Sequence, residues 1–281
     1  MAKFHLMHCV PSPMMHGPLG YREIIDSVQW GLEQLGHEVS YSLNGYHPSS
    51  RNIVFGAHML PMEILERLPA DTIVYNFEQG RGLERGQVRP EVHFISEAFS
   101  VWDYSSANVE MWKLLGNVKP KLVPVGYAPV LSRIPKAQDQ DIDVLLYGLS
   151  GQKRLTAVHL LSEEGYRVMF VSGIYGPARD ALIARSKIVL NVNRNDRSRI
   201  FEVVRVSYLL ANRKAVLAVL DHDTAIELDF SSCVRSTDMS GLVSACEDLL
   251  SDDTQRAQLE NLGYEEFSRR DVKKILWEAL R

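Results

Sequence analysis

The sequence predicts an α/β fold of two Rossmann-like lobes, each with a parallel sheet, facing a central cleft. Three observations carry this expectation. A strand–helix–strand pattern opens the chain, a second one with the same grammar opens at Ile142, and a stretch rich in Pro, Lys, Gln and Asp separates them. Both patterned helices end in a Gly-x-x-Val step, at Gly36 and Gly165. The expected division is a first lobe over 1–128, a linker over 129–141 and a second lobe over 142–262. A C-terminal helix is expected over 263–281, with a return to the first lobe left open.

In order, Phe4 to Val10 reads as a buried strand, followed by a loop with Pro13, Gly17, Pro18 and Gly20. A helix runs from about Tyr21 to Leu35, with Ile24, Val28, Leu32 and Leu35 on one face. Gly36 stops it, and the chain returns as a strand from His37. Asn52-Ile-Val-Phe-Gly, Thr72-Ile-Val-Tyr-Asn, Val92-His-Phe-Ile-Ser and Lys121-Leu-Val-Pro-Val read as further strands. In the second lobe, Ile142 to Tyr147 is a strand, then a turn, then a helix with Leu155, Val158 and Leu161. Tyr166 to Val171 and Lys187-Ile-Val-Leu-Asn-Val follow as strands. An apolar helix carrying Arg199, Glu202 and Arg205 on its first turns comes next, and then a strand from Ala215. Helical segments with Leu249, Leu259 and Ile275 close the chain.

The bulk numbers bound the function. The 281 residues suffice for two domains, and 46% hydrophobic content supports a packed fold. A net charge of -4 supplies no global basic field for nucleic acid. Cys9, Cys233 and Cys246 are widely spaced and odd in number, which fits a reduced, cytoplasmic setting rather than a disulfide framework. No apolar run reaches the length of a membrane span, which leaves peripheral contact with the inner membrane face open. No His/Cys cluster has metal-ligand spacing, so no metal and no cofactor are expected. Asp221-His-Asp223 superficially resembles an Asp-x-Asp cation motif, and a turn explains it as well.

The candidate site residues follow from the carboxyl ends of the strands, where open α/β sheets bind ligands. Two arginines and a carboxylate opening a helix suit a nucleoside diphosphate, the arginines on phosphate and Glu202 on ribose hydroxyls. The same spacing also describes an ion-paired helix face. The turn from Gly148 through Ser150 to Lys153 and Arg154 offers backbone amides and two cations to a diphosphate, or is a solvated turn. Gly173 and Tyr175 follow the next strand, where a glycine permits close approach to a base or ribose. In the first lobe, His16 and Glu78 are the candidates for catalytic base. Gly17, Glu97 and Asp103 are the acceptor-side candidates.

Five segments resemble the two-lobed GT-B glycosyltransferases, in the bacterial group 1 subgroup that includes spore-maturation (CgeB-like) proteins. They are Val101-Trp-Asp-Tyr-Ser, Val123-Pro-Val-Gly-Tyr, Asp143-Val-Leu-Leu-Tyr-Gly, Tyr175-Gly-Pro-Ala-Arg-Asp-Ala-Leu-Ile-Ala-Arg and Ile200-Phe-Glu-Val-Val-Arg-Val-Ser-Tyr-Leu-Leu-Ala-Asn. The resemblance implies a UDP-, GDP- or dTDP-linked sugar held mainly by the second lobe, in the cleft and without a metal. Glu202 then matches the carboxylate near the donor ribose, and Lys153, Arg154 and Arg205 face the diphosphate. Transfer to a glycan or other hydroxyl acceptor, in bacterial polysaccharide or glycan biosynthesis, is what such a family does. One departure stands out. Many retaining members carry two glutamates eight positions apart, and here the positions eight before and after Glu202 are Arg194 and Leu210. Alternatives on the same architecture are a non-catalytic nucleotide- or glycan-binding protein and a sugar-nucleotide epimerase. A nucleic-acid acceptor has one sequence hint, the basic loop from Arg194 to Arg199.

Overall fold

A computed structural model of the chain describes residues 1–12, 17–80, 88–117, 119–194 and 200–281. The chain divides into two units, Met1–Ala128 with Asp271–Arg281, and Pro129–Arg270.

In the first unit, β1 (Lys3–His8) leads through a 3-10 turn at Gly17–Tyr21 into α1 (Arg22–Gln34). Burying Ile24, Ile25, Val28 and Leu32 on one face holds α1 to the sheet. Gly36, at φ +80, ends it and donates to the Glu33 carbonyl. Then follow β2 (Glu38–Leu43), β3 (Arg51–Phe55), α2 (Met62–Leu65) and β4 (Ile73–Asn76). The unit continues through α3 (Pro90–Ala98), β5 (Ser100–Asp103), α4 (Ser106–Leu114) and β6 (Lys121–Leu122). Its six strands are parallel, in the order β2-β1-β3-β4-β5-β6.

Two strand expectations are corrected here. Val92 to Ser96 lie in α3, because Pro90 sits in the first helical turn, where its missing N–H costs nothing. The sheet position goes instead to Ser100–Asp103, whose Val101 and Trp102 are buried. The expected strand from Lys121 to Val125 shrinks to two residues at the sheet edge, since Pro124 lacks a ladder donor.

In the second unit come β7 (Ile142–Tyr147), α5 (Gln152–Glu163), β8 (Val168–Val171) and α6 (Gly176–Arg185). They are followed by β9 (Ser186–Val192), α7 (Val203–Ala211), β10 (Ala215–Val219), α8 (Leu228–Ser232) and β11 (Arg235–Thr237). Two helices, α9 (Leu242–Ser251) and α10 (Asp253–Ser268), complete the unit. The sheet order is β11-β10-β9-β7-β8, all parallel. Gly165, at φ +82, ends α5 as Gly36 ends α1. Near-continuous apolar strands such as Ala215–Val219 are what a sheet covered on both faces requires.

The helix expected to carry Arg199, Glu202 and Arg205 begins later than its pattern suggests. Glu202 is its N-cap position and Val203 its first residue. Residues 129–134 fasten to its far end: the Asn212 side chain accepts from the Arg133 and Ile134 amides at 2.8 and 2.7 Å and donates to the Leu131 carbonyl at 2.9 Å. At the other end of the chain, α10 runs through Gly263 to Ser268 within the second unit. Asp271 then caps α11 (Val272–Ala279), which packs on α1 in the first unit. A Cβ on Gly31 would lie 2.7 Å from the Leu276 side chain, so glycine permits that helix pair its close approach.

Candidate functional site

Sheet order locates the crevice of the second unit. β7 stands between β8 and β9, and the chain leaves β7 and β9 in opposite directions, so the switch point lies outside their carboxyl ends. The loop after β7 enters α5 and the loop after β9 enters α7, which brings two helix N-termini to this place.

Arg154, in the first turn of α5, is only 3% exposed. Its guanidinium donates to the Val192 carbonyl at the end of β9 (2.8 Å), the Leu149 carbonyl (2.7 Å) and Glu202 Oε1 (2.6 Å). Arg205 reaches the other carboxylate oxygen, Oε2, at 2.7 Å and Asn191 Oδ1 at 3.2 Å. One carboxylate thus holds two guanidinium groups, and the trio carries one net positive charge. Burial pulls Arg154 down to about 10, against the opposing pull of Glu202. An anion placed here would relieve that cost.

Gly148 forms the lid of this trio. Its φ is +126, and a Cβ would stand 2.8 Å from Arg205 Nη2 and 2.9 Å from Arg154 Nη1. The guanidinium groups therefore press directly against the backbone turn at this position.

Lys153 goes elsewhere. Consecutive helical residues diverge by about 100° around the axis, and Lys153 Nζ lies 2.7 and 2.6 Å from the two carboxylate oxygens of Asp221. The expectation that Lys153 joins Arg154 and Arg205 is corrected to a trio of Arg154, Arg205 and Glu202. Asp221 begins a turn in which its amide donates to Thr224 Oγ1 and its carbonyl accepts from the Thr224 amide. Among the described residues no group of three or more His, Cys, Asp or Glu is placed to hold a metal.

Of the remaining second-unit candidates, Ser150 is exposed, and its carbonyl accepts from Arg194 Nε at 3.0 Å. Gly173 has φ +73 and Tyr175 is the N-cap residue of α6, both beyond the end of β8. Arg199 lies outside the described residues. Sequence spacing missed a run of alternating cations and aromatics. Arg205 lies 5.2 Å from the Tyr147 ring centroid, and Arg179 lies 5.9 Å from Tyr147 and 4.7 Å from Tyr208. Asp180 braces the run, accepting from Arg179 at 2.8 Å and the Tyr208 hydroxyl at 2.8 Å. The one sequence signal for it was Tyr147, the last residue of a strand that ends at the crevice.

In the first unit the switch point lies between β1 and β3. Glu78 follows β4 at the same carboxyl edge. Its carbonyl accepts from Asn76 Nδ2 (2.9 Å) and Asn108 Nδ2 (2.8 Å). The Tyr21 hydroxyl donates to Glu78 Oε1, and His58 Nε2 stands 3.9 Å from the same oxygen. Burial, and then Glu78, push Tyr21 well above the usual phenol range. Burial lowers His58 despite Glu78, which leaves a neutral imidazole beside a carboxylate. His58 carried no sequence signal, because nothing in its neighbourhood marks it as facing Glu78. Gly17 lies in the turn before α1, and His16 lies outside the described residues.

Two acceptor-side candidates fall away from such a role. Glu97 is exposed near the C-terminus of α3, three residues before β5 begins, and so belongs to the amino edge of the sheet. Asp103 is fully buried and fills a structural position. Oδ2 accepts from Asn76 Nδ2 (2.7 Å) and Trp112 Nε1 (2.8 Å), and Oδ1 from the Ser105 amide (2.9 Å) and Asn108 Nδ2 (3.0 Å). Burial pushes its carboxyl up to about 6, while these donors pull the other way. Four donors with no acceptor favour the ionised form. In Asp103→Asn, either amide orientation turns an NH2 toward two donors. Its unfolding free energy in urea is expected to drop by about 2 kcal/mol or more; a change within error would contradict this assignment.

No family model matches the chain. It is 27% identical over 190 residues to an uncharacterized protein, R358, of Acanthamoeba polyphaga mimivirus, covering 65% of this chain and 63% of that protein's length. Solved structures match the whole chain at lower identity. The Alr3699/HepE protein of Anabaena, in complex with UDP and glucose, superposes with a TM-score of 0.63 at 12% identity, covering 100% of this chain and 99% of that one. AviGT4, a glycosyltransferase involved in avilamycin A biosynthesis, gives 0.59 at 15% identity over 99% and 96% of the two chains. WaaG, a glycosyltransferase involved in lipopolysaccharide biosynthesis, gives 0.58 at 11% identity over 99% and 98%. The fold, two parallel-sheet α/β units, is the GT-B fold of these structures. Among the described residues no helix is long and apolar enough to cross a membrane.

Proposed function

We propose that the chain is a glycosyltransferase that moves a sugar from a nucleoside diphosphate to an acceptor hydroxyl. The observation that carries this reading is the trio Arg154, Glu202 and Arg205 at the switch point of the second sheet, which by itself carries one net positive charge under the Gly148 turn. A diphosphate is the ligand whose charge and fork geometry match it. In the reaction, a bond forms between the acceptor oxygen and the anomeric carbon, and the bond from that carbon to the phosphate oxygen breaks. The diphosphate leaves with the electron pair, and Arg154, Arg205 and the amides at the starts of α5 and α7 stabilise its growing charge. Glu202 keeps lone pairs for the ribose hydroxyls beside its two arginine bonds. In a transfer with inversion, Glu78 takes the acceptor proton. That UDP occupies the Alr3699/HepE structure supports a uridine donor.

Isothermal titration with UDP, GDP, dTDP and their sugar-linked forms tests the reading. At least one nucleotide binds, and the Arg154→Ala and Arg205→Ala variants lose that binding. Absence of binding by all six, together with a Glu202→Ala protein indistinguishable from wild type, sinks it.

A further inference from the structure

A cavity of about 220 Å³ lies one strand over from the arginine trio. Its lining is in part apolar: Val192 and Val219, paired in register at the ends of β9 and β10, and Met239 beyond β11. The rest is polar, with Gln152, Thr156, Asn193 and the Lys153–Asp221 ion pair. A lining that mixes apolar and polar side chains suits a pyranose ring, which presents C–H groups on its face and hydroxyls around its edge. The volume is below the roughly 300 Å³ at which drug-sized ligand sites begin, so a single ring fits and a nucleoside with its phosphates does not.

The position fits as well. Val192 is shared: it lines the cavity, and its carbonyl accepts from Arg154. Neighbouring strands are about 4.8 Å apart. A group one bond beyond a phosphate held by Arg154 therefore comes within reach of the next strand gap. The divergence of Lys153 from Arg154 gives the first turn of α5 one cation on each side. Lys153 holds Asp221 in the cavity lining, where a carboxylate accepts from adjacent hydroxyls and the ammonium donates to them.

We propose that this cavity is the seat of the transferred sugar, a single hexosyl ring whose hydroxyls are read by Asp221, Lys153, Asn193 and Thr156. The inference rests on the glycosyltransferase reading above. It makes Asp221 a specificity-determining residue and explains why the second cation of the Lys153–Arg154 pair is turned away from the phosphate site.

The test uses the full chain with 13C-methyl methionine. UDP is compared with UDP-glucose, GDP with GDP-mannose and dTDP with dTDP-glucose. For the pair that binds, the sugar-linked nucleotide shifts the Met239 methyl resonance and the free nucleotide does not. Thr156→Phe, which fills the cavity, abolishes that shift while free-nucleotide affinity stays within about twofold, and the intact nucleotide binding certifies its fold. Asp221→Asn, which keeps the shape, weakens the sugar-linked form by about tenfold relative to the free one, the cost of losing charged hydrogen bonds. The proposal is overturned by a Met239 response that is the same with and without sugar, or by one that survives Thr156→Phe. It is overturned equally by a sugar-linked affinity that Asp221→Asn leaves untouched. If no nucleotide binds at all, the glycosyltransferase reading fails first and takes this one with it.

Discussion

Glu202→Ala is expected to lower the unfolding free energy by about 3 kcal/mol, because it strands two arginines that were paired through one carboxylate. Arg154 suffers most, being almost wholly buried with Glu202 as its only counter-charge among the described residues. Inorganic pyrophosphate, by supplying the missing negative charge, should restore more of the melting temperature in the variant than it adds to wild type. The binding defect is expected to be selective. Nucleoside diphosphates are expected to lose about tenfold relative to pyrophosphate, since the carboxylate proposed to accept from the ribose is gone while the arginines proposed to meet the phosphates remain. Urea denaturation, thermal melts with and without pyrophosphate, and paired titrations measure all three quantities. A variant as stable as wild type, with the same preference for nucleotide over pyrophosphate, contradicts the electrostatic account of the trio.

The two-sheet plan was legible because buried parallel strands announce themselves as short apolar runs. The repeated glycine stops at Gly36 and Gly165 also expose the matching beginnings of both units. Short runs failed where a helix could absorb them, as at Val92 to Ser96, since five residues do not fix a period and Pro90 had to be weighed as a helix start. The residues of the trio were each legible in the sequence as candidates, but their contacts with one another were not. Arg154 and Glu202 are 48 positions apart, and only strand order brings them together. Lys153 and Arg154 look equivalent in the sequence, yet a rotation of about 100° around the helix axis separates their destinations. Asp103 shows the converse limit: a carboxylate at a strand end is equally a ligand group or an anchor until its four donors are seen.

Gly148→Ala is expected to reduce sugar transfer by about a hundredfold, the loss that a misplacement near 1 Å inflicts on a positioned group. Two effects act together. The backbone at φ +126 disfavours any L side chain, at about 1–3 kcal/mol. The new methyl also overlaps Arg205 Nη2 and Arg154 Nη1, the groups assigned to the departing diphosphate. Both guanidinium groups must then withdraw from the turn, and Glu202, bonded to each, moves with them. Gly165→Ala separates the two effects. Gly165 has a comparable positive φ of +82, but a Cβ there meets nothing within 4 Å. It should lose stability to a similar degree while keeping nucleotide affinity and transfer rate. Steady-state transfer and nucleotide titration on the two variants, each compared with its own melting curve, therefore distinguish strain from site geometry. Parallel losses of activity in both variants would mean that backbone strain alone governs the turn, and that Arg154 and Arg205 do not depend on the Gly148 surface for their placement.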